Sequence, residues 1–168
     1  LYRYLGDVEE IRGLLPTVER VLRWYLPYLD DRGTISDVAE WNLVDWSSVF
    51  TTGRSSILTA LWARGLREFA ELSRFVGNEG AAGWAERHWE AARVGFEDFW
   101  DEARGTYLDH WLHGEPQPAT SQHAGATAIV SGLAPRERWG RIIDRIPDPG
   151  RVVIRSWIGG VDGGYDIE

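Results

Sequence analysis

Apolar positions recur along most of this chain at helical spacing. Val8, Ile11, Leu14 and Leu15 share one face. Asp7 before them is a good helix N-cap, and Glu9 and Glu10 fall in the first turn, where negative charge complements the helix dipole. Pro16 has no backbone N–H, so it predicts a break and a second segment with Val18, Val21, Leu22, Tyr25 and Leu26 along one face. Residues 1–5 read as the end of an earlier helix closed by Gly6. Residues 30–34, Asp-Asp-Arg-Gly-Thr, form a turn. No period holds from 35 to 52, and irregular segments of that length are often functional.

Ser55 or Ser56 caps the next helix, which runs to residue 76 with Ile57, Leu58, Leu61, Trp62, Leu66, Phe69, Leu72, Phe75 and Val76 on its apolar face. After Gly77-Asn78 a partner helix carries Ala81, Trp84, Ala85, His88, Trp89, Ala92, Phe96, Phe99 and Trp100, ending near Trp100. So short a link makes the two an antiparallel hairpin. Residues 106–113 alternate weakly, as a short strand or extended loop, and 114–118 form a turn. Thr120 or Ser121 caps a helix that ends at Gly132, and Pro135 opens another that reaches 143 or 145 before Pro147 and Pro149. Residues 151–157 fit a strand or a further helix, and the glycine-rich end from Gly159 fits an open loop. The expected class is all-α, built of antiparallel helical hairpins, with one short extended segment near 106–113. No fixed-period repeat points to a helical array.

Composition narrows the chemistry. The 168 residues contain no Cys, so a disulfide framework, a thiol nucleophile and Cys-ligated zinc are excluded. All 18 basic residues are Arg, which removes Schiff-base and phosphate-loop lysines. A net charge of -8 without a basic stripe argues against nucleic acid as a partner. No apolar run approaches the roughly 20 residues that span a bilayer, so no membrane is expected. Methionine is absent too, and the periodicity at Leu1 and at Glu168 is that of a helix and a loop cut through; both fit an internal piece of a longer chain.

Ten tryptophans are many for a core of this size, and indole faces beside carboxylates suit the apolar C–H faces of sugars. Residues 40–48, Glu-Trp-Asn-Leu-Val-Asp-Trp-Ser-Ser, place Asp45 between Trp41 and Trp46 on the irregular segment before a helix. A sugar-binding loop is one reading; a loop cap with core tryptophans is the other. His110 and His113 bracket Trp111, but in an extended segment they face opposite ways, so no metal pair is expected there. His88 fits a hydrogen-bonded core histidine. Gln122 and His123 open a helix, where polar groups often line a site, although Ser121 can serve as cap alone. Glu19, Glu68, Glu71, Glu86, Glu90 and Glu97 fall on solvated faces and form no paired-carboxylate motif.

In order, Tyr4-Leu5-Gly6-Asp7, the Pro16 helix and Asp45-Trp46 before a long Ala/Leu-rich helix resemble the catalytic domain of bacterial α-L-rhamnosidases, glycoside hydrolase family 78. Gly77 after a helix, Phe99-Trp100-Asp101 with Gly105-Thr106-Tyr107, Thr120-Ser121-Gln122-His123-Ala124 and Gly132-Leu133-Ala134-Pro135 extend the resemblance over nearly the whole chain. Each motif is weak alone; their order is the specific signal. The resemblance implies an (α/α)6 barrel of six hairpins, of which this chain holds about half within a single domain. It also implies inverting cleavage of terminal α-L-rhamnose, no cofactor or metal, and the rest of the catalytic domain as partner. The general acid then lies before Leu1 and the general base after Glu168. Asp45 matches a sugar-facing Asp, as a hydroxyl acceptor rather than the proton donor. Trp46, Gln122 and His123 match positions near the barrel mouth. Trp41 and Trp111 join them as stacking walls on local chemistry alone, while Trp62, Trp84, Trp89 and Trp100 are read as hairpin packing. The rivals are another (α/α)6 carbohydrate-active enzyme and a noncatalytic helical-hairpin interaction domain.

Overall fold

A computed structural model describes residues 7–42, 44 and 49–146, together with the backbone of 154–157 and 164–167. The helical reading of residues 1–5 lies outside the described residues. Helix α1, Val8–Trp24, starts at Asp7, whose Oδ1 accepts from the Glu9 and Glu10 amides at 3.0 and 3.1 Å. It runs straight through Pro16, contrary to the break that the sequence predicts. Pro16 and Arg12 both lie on the exposed side, so the Arg12 carbonyl that loses its partner faces solvent. Ile11 and Leu15 before the proline and Leu22 after it are buried and hold the helix across it. Val18 and Val21, expected inside, are exposed with Leu14 and Trp24.

Strand β1, Arg54–Ser55, leads into helix α2, Ser56–Phe75. Ser55 is the cap, its Oγ accepting from the Leu58 amide at 3.3 Å. Asn78 caps helix α3, Glu79–Phe96. Between them Gly77 adopts φ +82°, and the Gly77 and Asn78 amides donate to the Arg74 and Ser73 carbonyls. The two helices fold back on each other as an antiparallel hairpin. Trp62 Nε1 donates to the Leu22 carbonyl at 2.9 Å, tying α2 to α1.

Helix α3 stops at Phe96 rather than near Trp100. A 3-10 turn, Glu97–Phe99, follows, and Trp100–Asp101 (β2) pairs with Thr106–Tyr107 (β3). Phe99 is drawn inward beside Phe96 and Tyr107, and its carbonyl accepts from the Leu108 amide at 2.8 Å, which turns the chain out of the helix. The extended segment forms β4, His110–Leu112, and folds through Gly114 onto β5, Glu115–Pro116; the sheet order is β1-β4-β5. Helix α4, Gln122–Ser131, is capped by Ser121 and closed by Gly132 at φ +77°. Pro135 and a 3-10 turn lead to α5, Trp139–Arg145. Ile154–Trp157 (β6) pairs with Gly164–Ile167 (β7), so part of the glycine-rich end is a strand and not open loop.

Two apolar clusters result. One joins α1 to the α2–α3 hairpin through Leu22, Trp62, Leu66, Phe69 and Trp84. The other joins α2 to α4 and α5 through Ile57, Phe96, Phe99, Tyr107, Ala128 and Ile142. The tryptophans read as packing do pack: Trp62 and Trp84 are buried, and Trp89 and Trp100 are partly so. His88 lies between Trp62 and Trp84 with Nδ1 2.9 Å from the Trp84 carbonyl.

The 30–34 turn is seated directly on α3. Gly95 is buried there, and a Cβ on it would collide with the Arg32 carbonyl oxygen and press on Thr34. Gly95→Ala is therefore expected to cost about 1–3 kcal/mol in urea denaturation. Gly13→Ala, with nothing near its Cβ position, is the control and is expected to cost nothing. Equal midpoints for wild type and Gly95→Ala would contradict this seating.

Candidate functional site

The site is assembled where α2 and α4 begin. Both helix starts are held by the same stretch of chain, residues 108–121, and Asp109 is the knot. Its carbonyl accepts from the Ser56 amide and hydroxyl, each at 3.0 Å, at the first residue of α2. Its Oδ1 accepts from the Ser121 amide at 2.8 Å, at the cap of α4. The Ser121 hydroxyl also bonds to the Asp109 carboxylate, and its oxygen accepts from the Ala124 amide at 3.2 Å. The Asp109 amide donates to the Ala119 carbonyl at 2.9 Å. One residue thereby aligns two helix starts.

Next to this knot, β1 sets Arg54 opposite Trp111 and Ser55 opposite His110. The Arg54 guanidinium is largely covered and reaches Asp30 at 2.9 Å, Asp98 at 2.7 Å, Thr34 Oγ1 at 2.7 Å and the Gly95 carbonyl at 2.9 Å. It lies 4.9 Å from the Phe99 ring and 5.6 Å from the Trp111 ring. Burial alone would raise the Asp98 carboxyl, but the hydrogen bonds and charges of Arg54 and Arg32 outweigh that and hold it below the ordinary carboxylate value. This clasp fixes the floor under Trp111.

Of the residues expected at a sugar site, Trp111, Gln122 and His123 come to this end of the molecule. Trp111 is partly buried, and its indole N–H is covered without an acceptor among the described residues. Gln122 is exposed and donates from Nε2 to the Ile146 carbonyl at 2.7 Å. His123 is partly buried, and its charge acts on Asp109. Trp41 is 83% exposed on the irregular segment, beside Glu40, which accepts from Tyr28 Oη at 2.7 Å. Asp45 and Trp46 lie outside the described residues. His110 is buried with Nδ1 2.9 Å from the Thr52 carbonyl and its ring stacked on Phe50, while His113 is exposed. The two are turned apart, as extended spacing requires. Among the described residues no group of three or more His, Asp or Glu is placed to hold a metal ion. No helix among them is long and apolar enough to cross a membrane.

The larger described cavities are elsewhere. One of about 360 Å³ is lined by Arg67, Arg74, Glu86 and Trp89 toward the other end of the α2–α3 pair. One of about 330 Å³ lies between α1 and the α2–α3 turn. A small cleft beside Ser121 and Gln122 is also lined by Arg145 and Ile146.

The residue that sequence patterning missed is Asp109. It sits in a weak alternation between Tyr107 and Trp111, and nothing in its spacing marks it. Only the register of β1 on β4 and the return of the chain to Ser121 bury its carboxylate, which is 1% exposed.

The chain belongs to the bacterial alpha-L-rhamnosidase 6 hairpin glycosidase domain family, whose model matches residues 1–145. Two solved structures share its fold. A GH78 family rhamnosidase of Bacillus sp. GL1 is 24% identical with a TM-score of 0.76, over 86% of this chain and 15% of that one. A rhamnosidase from Klebsiella oxytoca with rhamnose bound is 16% identical with a TM-score of 0.71, over 85% of this chain and 27% of that one. This chain thus spans well under a third of either. The comparison with curated proteins gives no match.

Burial is the largest influence on Asp109 and pushes its carboxyl up to about 6, against the Ser121 hydrogen bonds and the His123 charge, which pull it down. The folded state therefore binds this proton more tightly than the unfolded chain, where the ordinary value is 3.8. Stability from this group is fully present below about pH 4 and is lost as pH rises through about 6. The loss by neutral pH is about 3 kcal/mol. Asp109→Asn keeps an acceptor for the Ser121 amide without the charge. Its stability relative to wild type is expected to climb between about pH 4 and 7, by up to about 3 kcal/mol in urea denaturation. A difference independent of pH would contradict a buried, reluctant carboxylate.

Proposed function

We propose that this chain supplies one side of the catalytic domain of an inverting α-L-rhamnosidase, with the wall at the starts of α2 and α4 facing the sugar. The observation that carries the reading is the family match over 1–145 to a six-hairpin glycosidase domain. The convergence of Trp111, Gln122 and His123 on one end of the fold supports it. In this reading Asp45 accepts a sugar hydroxyl, and Trp46, Trp41 and Trp111 offer ring faces. Rhamnose carries a methyl where most hexoses carry a hydroxymethyl, and an indole wall suits that group.

Inversion requires an acid and a base on opposite faces of the bond, about 6.5–9.5 Å apart, with a water between them. Neither role is assigned to a residue of this chain; both belong to the rest of the catalytic domain. Residues 1–168 are read as one piece of that single domain, with a rhamnose-containing glycoside as substrate.

A second reading, a noncatalytic interaction domain, draws on one feature: α1 exposes Leu14, Val18, Val21 and Trp24. A neighbouring hairpin of a larger helical domain would cover the same stripe. A third, another (α/α)6 sugar hydrolase, differs only in specificity.

Hydrolysis of 4-nitrophenyl α-L-rhamnopyranoside distinguishes them. The complete catalytic domain carrying this chain is expected to turn it over, and Asp45→Ala there is expected to lower kcat/KM by about tenfold to hundredfold, the worth of one hydrogen bond to a charged group. The 168-residue chain alone is expected to be inactive. Turnover by the isolated chain, abolished by Asp45→Ala, would place the acid and base inside it and contradict the assignment.

A further inference from the structure

We infer that Asp109 is a positioning residue for the sugar site: through Ser121 it sets where the first turn of α4 places Gln122 and His123. This rests on the reading of Gln122 and His123 as sugar contacts.

Asp109 is almost wholly buried, and among the described residues no arginine pairs with it. Holding the Ser121 amide needs only a neutral acceptor, which an amide side chain would provide without burying charge. A carboxylate adds a second property: when ionised it only accepts. The Ser121 hydroxyl must then give its proton to Asp109 and turn a lone pair to the Ala124 amide. The relay from helix amide to hydroxyl to carboxylate has one polarity, and each of its bonds is satisfied. A protonated or amidated Asp109 offers a hydrogen to the same hydroxyl, whose oxygen then serves two donors and whose own proton loses its acceptor and the orientation it imposed. The first turn of α4, which carries Gln122 and His123, is then held by a weaker cap.

Among the described residues the following groups are placed against Asp109. From α4, His123 is the titratable neighbour whose charge acts on it. From α2, the Ser56 amide and hydroxyl bond to its carbonyl. On β4, His110 turns its Nδ1 away to the Thr52 carbonyl. Arg145 lines the small cleft beside Ser121. A charge kept in so covered a place, against the stability of the fold, is what a site demands and a simple helix cap does not.

Two measurements on wild type and Asp109→Asn test this. The first is amide hydrogen exchange in the 168-residue chain between pH 5 and 8. Protection at Ser121, Gln122, His123 and Ala124 is expected to fall about tenfold in Asp109→Asn at pH 7.5, with α3 amides unchanged. The second is the pH profile of KM for 4-nitrophenyl α-L-rhamnopyranoside with the complete catalytic domain. Wild-type KM is expected to rise about tenfold as pH falls through about 6, with kcat changing less than about threefold. Asp109→Asn is expected to show the high KM at every pH while denaturing no more easily than wild type at pH 7.5, which a merely structural role would not produce. Unchanged exchange at 121–124 overturns the inference whatever KM does. Altered exchange with a wild-type KM profile also overturns it, leaving Asp109 a cap only. Absence of rhamnoside turnover by the wild-type domain at any pH overturns the functional reading beneath it, and is seen in wild type rather than in the variant.

Discussion

The hydrogen bonds of Asp109 are the constraint on which the candidate site depends. A carbonyl at α2 and a carboxylate at α4 bring two helix starts to one strand of chain, although 65 positions separate Ser56 from Ser121. Without that residue the β1–β4 pairing would still place Trp111 over the Arg54 clasp. The arrangement carries a cost, because the carboxylate is ionised in a setting that favours its neutral form. Helix N-termini offset part of that cost, since their free amides and partial positive charge favour an anion. Burial still wins, which is why the carboxyl stays well above the ordinary value.

The rest of the fold is organised to keep that end rigid. The Arg54 clasp binds the 30–34 turn, the end of α3 and β1 in one ion-paired group. The Tyr107 hydroxyl, pushed up to about 12 chiefly by burial, accepts from Arg138 at 3.2 Å and links the β2–β3 hairpin to the approach of α5. Two apolar clusters meet along α2, whose opposite faces serve α1 and α3 on one side and α4 and α5 on the other. A helix buried on so many faces is a fixed reference for the loops at its start.

Much of this architecture was legible in the chain. Caps were the most reliable marks: Asp7, Ser55 and Ser121 all accept from the first turns they precede, because few residue types satisfy those amides. The hairpin followed from the short link at Gly77-Asn78. Pro16 misled, since a missing hydrogen bond on a solvent-facing turn costs less than the burial of Ile11, Leu15 and Leu22 returns. Phe99 and Trp100 misled as well: their spacing continues the apolar face of α3, but tertiary pairing with 106–108 takes them out of the helix. Trp111, Gln122 and His123 were read as candidates because aromatic and helix-start residues announce themselves locally, and the fold brings them to one end. Asp109 could not be read so, since its role exists only once β1 lies on β4 and the chain has returned to Ser121.

In the proposed function, sugar is met at the end where α2 and α4 begin. A crystal structure of the complete catalytic domain with L-rhamnose tests that most directly. The sugar is expected against Trp111, Gln122 or His123, with Asp109 behind them and out of contact. Rhamnose bound instead at the opposite end, near Arg67 and Gly132 where α4 finishes, or bound without touching this chain, would contradict it.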